Sequence, residues 1–255
     1  MNPLLTPEPP WRHYLLGGGQ AIPDPDGKLR LQISATSRQQ YRDAQLDDYQ
    51  AGVTQPLLHQ PPLRLQITAR FSHPAGRLRG TAGFGLWNYP SAWPPRPPQA
   101  IWFFYGSSPG DLPLALGVPG NNGWKAATID LQRGLGLLPF GPLLAPVMRI
   151  PWLQRAFWPP IQRAIGVAEV AVPVAMDAWH TYQIEWGPQT SRFLVDGRVI
   201  LSDAPSPRGP LCVVAWVDNQ YLIATPQGRL GWGLLDLPEA QTLDLAEVSL
   251  DPLPA

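Results

Sequence analysis

Tyr41, Asp43, Gln45, Asp47 and Tyr49 occupy every second position of the run 41–49. In an extended strand such residues share one face. That face carries phenol, carboxyl and amide groups, which suit either a surface that grips a hydroxyl-bearing ligand or an ordinary solvated face; both readings stand. Asp43 and Asp47 would lie about 13 Å apart along a strand, too far to work as an acid/base pair. A second alternation places Val214, Trp216, Asp218 and Gln220 together, although Asp218-Asn219 reads equally as a turn. If the two strands bring Asp218 and Asp47 to one sheet face, these become candidate catalytic carboxylates, with Tyr41 or His180 assisting. Gln45, Tyr49 and Gln220 are then candidate ligand contacts.

The aromatic residues extend this reading. Trp87-Asn88 closes an apolar run, Trp93 sits among prolines, and Trp124 follows Asn121-Asn122-Gly123. Tryptophans in loops at a sheet rim can stack on a ligand, and Trp is seldom fully buried. Trp87, Asn88, Trp93, Trp124 and Trp216 are therefore candidate ligand-binding residues, with core or rim packing as the alternative. Other chemistries lack their residues. The four histidines are scattered without metal-ligand spacing, so no zinc site is expected, and nothing in the sequence places a structural calcium. Cys212, the single cysteine, lies in an apolar run and is expected to be an inert buried thiol. No phosphate loop, dinucleotide fingerprint or nucleophile elbow appears, so no cofactor is expected.

These residues need a framework, and alternating apolar and polar positions supply it. Leu29–Ile33 and Leu63–Phe71 alternate cleanly, the period of half-buried strands. Further strands are expected at Thr81–Tyr89, Ala100–Gly106, Trp124–Leu131, Ala168–Val174, Trp179–Trp186, Arg192–Val195, Arg198–Leu201, Leu211–Asp218 and Leu243–Leu250. Together with 41–49 they predict an all-β chain: a two-sheet antiparallel sandwich formed as one domain over 1–255. Segment 132–168 departs from the pattern. It contains Arg133, Arg149, Arg155 and Arg163 and no acidic residue, and Ile150, Leu153, Phe157, Ile161 and Ile165 fall at helical spacing. One or two short helices are expected there, interrupted or kinked at Pro159-Pro160. As an insertion it could serve as a lid over a cleft, an oligomer contact or a membrane-surface element.

The run Trp179-His180-Thr181-Tyr182-Gln183-Ile184-Glu185-Trp186, followed by Phe193-Leu194-Val195-Asp196-Gly197, resembles the strand–turn–strand segment of the concanavalin A-like lectin/glucanase superfamily, especially family 16 glycoside hydrolases. Gly83-Phe84-Gly85-Leu86-Trp87 and Ala100-Ile101-Trp102-Phe103-Phe104 are similar to that family's approach to its catalytic strand. The resemblance implies a jelly roll. The family's Glu-x-Asp-x-x-Glu run has no counterpart here, because the carboxylates between Pro90 and Leu131 are Asp111 and Asp130 alone. Retaining hydrolysis needs two carboxyl groups about 5–5.5 Å apart. A non-hydrolytic binder of a carbohydrate or other small ligand is therefore the leading expectation. An enzyme with a relocated site, or a module that uses the insertion, are the alternatives.

Composition bounds the partners. Nineteen basic residues balance nineteen acidic ones, so the basic excess that nucleic acid selects is missing. The first residues lack a basic stretch followed by an apolar one, and no run approaches the roughly 20 apolar residues that cross a bilayer. A cytoplasmic protein is expected. The sequence leaves ligand identity and oligomeric state open.

Overall fold

A computed structural model describes residues 11–49, 57–88 and 96–253. Strands are numbered in chain order. One seven-stranded antiparallel sheet runs in the order β1 (Arg12–Leu16), β4 (Asp43–Asp47), β13 (Cys212–Asp218), β6 (Thr81–Trp87), β7 (Gln99–Gly106), β8 (Gly123–Asp130) and β9 (Ala168–Ala171). The other, also seven-stranded, runs β12 (Arg198–Pro205), β11 (Thr190–Val195), β10 (His180–Trp186), β5 (Leu63–Phe71), β16 (Gln241–Pro252), β3 (Leu29–Ile33) and β2 (Gln20–Pro23). The expected two-sheet jelly roll is the observed architecture. A two-stranded ribbon, β14 (Gln220–Ala224) with β15 (Leu230–Leu234), continues from the end of β13.

Alternation drives the packing. From the second sheet, Leu29, Leu31 and Ile33, then Leu65, Ile67, Ala69 and Phe71, then Tyr182, Ile184 and Trp186 all point inward. Ala82, Phe84 and Leu86 meet them from β6, and Ile101, Phe103 and Tyr105 from β7. Polar partners on the outward face of the second sheet include Arg30 and Arg70, which both pair with Asp244. The strands β13 and β7 are buried on both faces. Something therefore covers the outer side of the first sheet as well, and that second, smaller cluster contains Tyr49, Phe104, Cys212, Val214 and Trp216.

Two turns explain local geometry. Asp196 and Gly197 have φ of 50° and 73°, the double positive φ of a type I′ hairpin, which is what Asp-Gly between two strands predicts. The insertion folds as a 3-10 turn (Leu135–Phe140), α1 (Gly141–Val147) and α2 (Pro151–Ala164). Pro151 opens α2, where its missing N–H costs nothing. Contrary to expectation α2 continues through Pro159 and Pro160. The two prolines withdraw the bonds to the carbonyls of Arg155 and Ala156; both residues are exposed, so water replaces the lost donors. Among the described residues, no helix is long and apolar enough to cross a membrane.

Candidate functional site

The outer face of the first sheet holds a cavity of about 480 Å³, within the usual range for small-molecule sites. Strands β4 and β13 are neighbours, and their register sets Val214 against Asp47, Trp216 against Gln45 and Asp218 against Asp43. The two polar alternations read from the sequence thus fuse into one floor. Directly opposed residues on antiparallel strands have Cβ atoms about 4.5–5.5 Å apart. The carboxyl pair that results is Asp43 with Asp218, and both line the cavity.

Asp47 lies on the same face, four residues further along, and is engaged elsewhere. Arg12 from β1 forms an ion pair with it, Gln45 donates to its other oxygen, and the Tyr49 N–H donates at 3.0 Å. Burial raises its carboxyl, and those donors oppose the rise. The expected pairing of Asp47 with Asp218 is therefore replaced by Asp43 with Asp218, and Asp47 anchors the edge strand instead.

The members of the dyad differ in environment. Asp218 Oδ1 accepts from the Thr81 N–H (3.1 Å), the Thr81 hydroxyl (2.9 Å) and the Gln220 N–H (2.9 Å), and Oδ2 accepts weakly from Gln220 Nε2. Burial pushes its carboxyl up to about 6 despite these donors. Asp43 is 4% exposed. Burial, then the charge of Asp218, drives its carboxyl well above the ordinary range, with a hydrogen bond from Tyr41 opposing. Its Oδ1 is buried with no hydrogen-bond partner. Two carboxyls this close cannot both ionise freely. The proton rests on Asp43 and the charge on Asp218, which is the one supplied with donors. Tyr41, which hydrogen-bonds both Asp43 and Gln220, is held as the neutral phenol by burial and the nearby acids.

The walls are aromatic. Trp87, Trp102, Phe104 and Trp216 form a connected surface, with centroids 5.9 Å apart for Trp87–Trp102, 5.3 Å for Trp102–Phe104 and 5.8 Å for Trp102–Trp216. Two glycines of β6 make room for it. A Cβ at Gly83 would meet the Trp216 ring at 2.9 Å, and one at Gly85 would meet Trp102 Cβ at 2.6 Å. Trp216 Nε1 donates to the Thr81 hydroxyl at 3.0 Å, tying the ring to the dyad's donor. Trp87 Nε1 donates to the Tyr49 hydroxyl, whereas Trp102 Nε1 is buried without a partner. From β7 the cavity takes Trp102 and Phe104, so its carboxyl groups come from β4 and β13. Tyr221, Leu222 and Trp232 of the ribbon, with Arg12 and Tyr14 of β1, complete the rim.

Of the residues expected at the site, Tyr41, Gln45, Tyr49, Trp87, Trp216, Asp218 and Gln220 are brought together. Trp93 lies outside the described residues. Trp124 is a correction: it is 4% exposed and points into the inter-sheet core, edge-on to Phe71 at 5.2 Å, because strand alternation sends position 124 inward with Ala126. Asn88 is buried as a clamp, donating to the Pro97 carbonyl (2.8 Å) and accepting from the Gln99 N–H (2.9 Å). His180 begins β10 in the opposite sheet and binds Asp196 at 2.7 Å, so it cannot assist the dyad. The insertion contributes nothing to the cavity lining. Of the three roles open to the insertion, a lid over this cavity is not the one seen; the ribbon lines the cavity there. Asp43, Trp102, Phe104, Thr81 and the ribbon's Tyr221, Leu222 and Trp232 were missed, although Asp43 shared the polar alternation of 41–49.

Three solved structures share this arrangement of strands over nearly their whole length. They are a family 16 endo-glucanase from Bacteroides ovatus (10% identity, 98% of each chain, TM-score 0.52), a Bacillus licheniformis β-glucanase (12%, 99% of this chain and 97% of that one, TM-score 0.51), and an immunostimulatory antigen and pseudo β-1,3-glucanase of Mycobacterium tuberculosis (10%, 100% and 96%, TM-score 0.52). The chain shares the two-sheet jelly-roll fold of these three proteins. At these identities the likeness concerns the fold. No family model matches the chain, and no curated protein matches its sequence.

Proposed function

We propose that the cavity on the first sheet binds a carbohydrate, a short oligosaccharide, without hydrolysing it. The observation that carries this reading is the asymmetry of the cavity. One side is a continuous surface of Trp87, Trp102, Phe104 and Trp216, and the other is a row of carboxyl, amide and phenol groups, Asp43, Gln45, Asp218, Gln220 and Tyr41. A pyranose ring has the matching asymmetry, an apolar C–H face and a hydroxyl-bearing edge. The uncompensated Asp43 Oδ1 and Trp102 Nε1 are an acceptor and a donor of the kind that ligand hydroxyls satisfy. The reading rests on the site, since a shared fold does not bring a substrate with it. Tryptophan fluorescence titrated with laminari-, cello- and xylo-oligosaccharides tests it. Saturable quenching that Trp232→Ala weakens is expected; flat titrations with every sugar would reject it.

A second reading is favoured by one observation, the direct opposition of Asp43 and Asp218 with unequal hydrogen-bond donors. Such a pair supplies a general acid in Asp43 and a base or nucleophile in Asp218. Turnover of an oligosaccharide that both Asp43→Asn and Asp218→Asn abolish, with folding intact, would establish an enzyme in place of a binder.

A further inference from the structure

We propose that the helical insertion, together with the β14–β15 ribbon, forms a platform that seats on an anionic lipid bilayer. Among the described residues the five most exposed large hydrophobic side chains are Leu230 (83%), Trp232 (74%), Leu143 (72%), Trp152 (68%) and Phe140 (53%). All five belong to these two elements, which are far apart in sequence. They adjoin in space: a Cβ at Gly228, in the ribbon's turn, would meet the Ala145 Cβ of α1 at 2.9 Å. Neither α1 nor α2 contains a buried residue. The insertion is anchored by Met148, buried between the two helices, and by Trp158 Nε1, which donates to the Leu114 carbonyl at 3.1 Å. A segment whose aromatic and aliphatic side chains face water in this number has an unmet partner.

Charge selects that partner. Residues 132–168 contain four arginines and no carboxylate. Arg133 is neutralised by Asp130, while Arg149, Arg155 and Arg163 make no ion pair among the described residues. A second copy of this chain docked through the same face about a two-fold axis would oppose arginine to arginine with no acid to relieve them. An anionic lipid surface relieves them all, and the mixture fits an interfacial element: arginines at headgroup level, Trp152, Leu143 and Phe140 in the acyl boundary. At 14 residues, α2 lies on such a surface and does not cross it. Because Trp232 belongs both to this platform and to the cavity rim, seating would hold the cavity mouth beside the headgroups. The inference stands on the exposed surface alone and does not require the carbohydrate reading.

Co-sedimentation of the full chain with vesicles tests it, using phosphatidylcholine alone and phosphatidylcholine mixed with phosphatidylglycerol. Binding to the mixed vesicles is expected, weakened by added salt as exposed charges are screened and much lower on phosphatidylcholine alone. Replacing Arg149, Arg155 and Arg163 with Gln together should weaken binding by on the order of 100-fold, at about fivefold per cation near an anionic surface. Leu143→Ser with Trp152→Ser should abolish it. Near-UV circular dichroism verifies that each variant is folded. Failure to sediment with the mixed vesicles, equal sedimentation with both vesicle types, or undiminished binding by the triple Gln variant would each overturn the proposal. So would a stable dimer that Leu143→Ser dissolves, which would assign the face to a second copy.

Discussion

Replacing each member of the dyad in turn separates their roles through the pH dependence of stability. The carboxyl of Asp218 moves from 3.8 to about 6 on folding. An acid whose folded value is raised binds more protons folded than unfolded between those two limits. Stability is therefore highest below pH 4, declines as pH rises through 4 to 6, and stays lower above. A shift of about 2 units at 1.36 kcal/mol per unit makes the loss about 3 kcal/mol, or roughly 6–12 °C in melting temperature for a chain of this size. Asp218→Asn should remove that share of the decline and leave the share owed to Asp43. Its amide oxygen can still accept from the Thr81 N–H and hydroxyl and the Gln220 N–H, so the fold survives the change. Asp43→Asn should leave the decline owed to Asp218 between pH 4 and 6 and remove the share owed to Asp43, which keeps its proton in the folded state over a range where the unfolded chain has already lost it. It should thereby stabilise the protein at higher pH, where ionising the buried Asp43 beside a charged Asp218 is costly. Thermal melts of the three proteins between pH 4 and 9 make the comparison, with the rest of the chain's titration cancelling in the differences. If the decline continues above pH 6 in Asp43→Asn and ends there in Asp218→Asn, the proton assignment is inverted. If neither variant changes the profile, the carboxyls are not the buried, coupled pair described.

Three further outcomes follow from the same geometry. Trp232→Ala, at a residue 74% exposed, should leave stability within about 0.5 kcal/mol while lowering oligosaccharide affinity about tenfold by titration calorimetry, as the loss of one stacking partner does. Arg12→Ala should destabilise by about 2–3 kcal/mol in chemical denaturation. That is the lower part of the range for orphaning a buried charge, since Arg12 is itself 37% exposed while Asp47 is fully buried; Asp47→Asn added to it should restore part of the loss. His180→Ala should leave ligand binding unchanged in the fluorescence titration, because its partner is Asp196 at a hairpin of the opposite sheet.

The framework was legible because it rests on short-range alternation. Leu63–Phe71, His180–Trp186 and the Asp196-Gly197 turn each declare their structure locally. The ribbon and β1 were not, and for a physical reason. Leu230-Gly231-Trp232-Gly233-Leu234 pairs with Gln220–Ala224 through glycines over which Tyr221 lies, a Cβ at Gly233 meeting its ring at 2.7 Å, so its pattern is set by a neighbour. Arg12–Leu16 follows a proline-rich start and becomes a strand by pairing with β4. The site divides the same way. That 41–49 and 214–220 each carry a polar face was visible, but which carboxyl opposes Asp218 is decided by register, a non-local quantity. A slip of four residues separates the Asp47 pairing from the observed Asp43 pairing. Trp124 was misplaced because a tryptophan beside an Asn-Asn-Gly turn reads the same whether its strand phase points in or out.

The position of the dyad follows from what occupies the centre of the sheet. Strand β7 sends Trp102 and Phe104 outward, and β6 answers with Gly83 and Gly85, so the indoles lie flat across two strands. This aromatic cover desolvates whatever stands beside it. On that flank, β13 presents Asp218 with Thr81 and Gln220 as donors, and β4 presents Asp43 with only Tyr41. The same rings that offer a stacking surface thus raise both carboxyls and, through unequal hydrogen bonding, sort one into acid and the other into anion. Stacking surface and polar edge are consequences of a single packing decision. A substitution that removes the ring covering Gly83, such as Trp216→Leu, should therefore alter both at once: weaker sugar binding, and an Asp218 carboxyl drawn down from about 6 toward the ordinary range as water reaches it. A variant that weakened sugar binding while leaving the acidic limb of the stability profile unmoved would separate the two and refute their common origin.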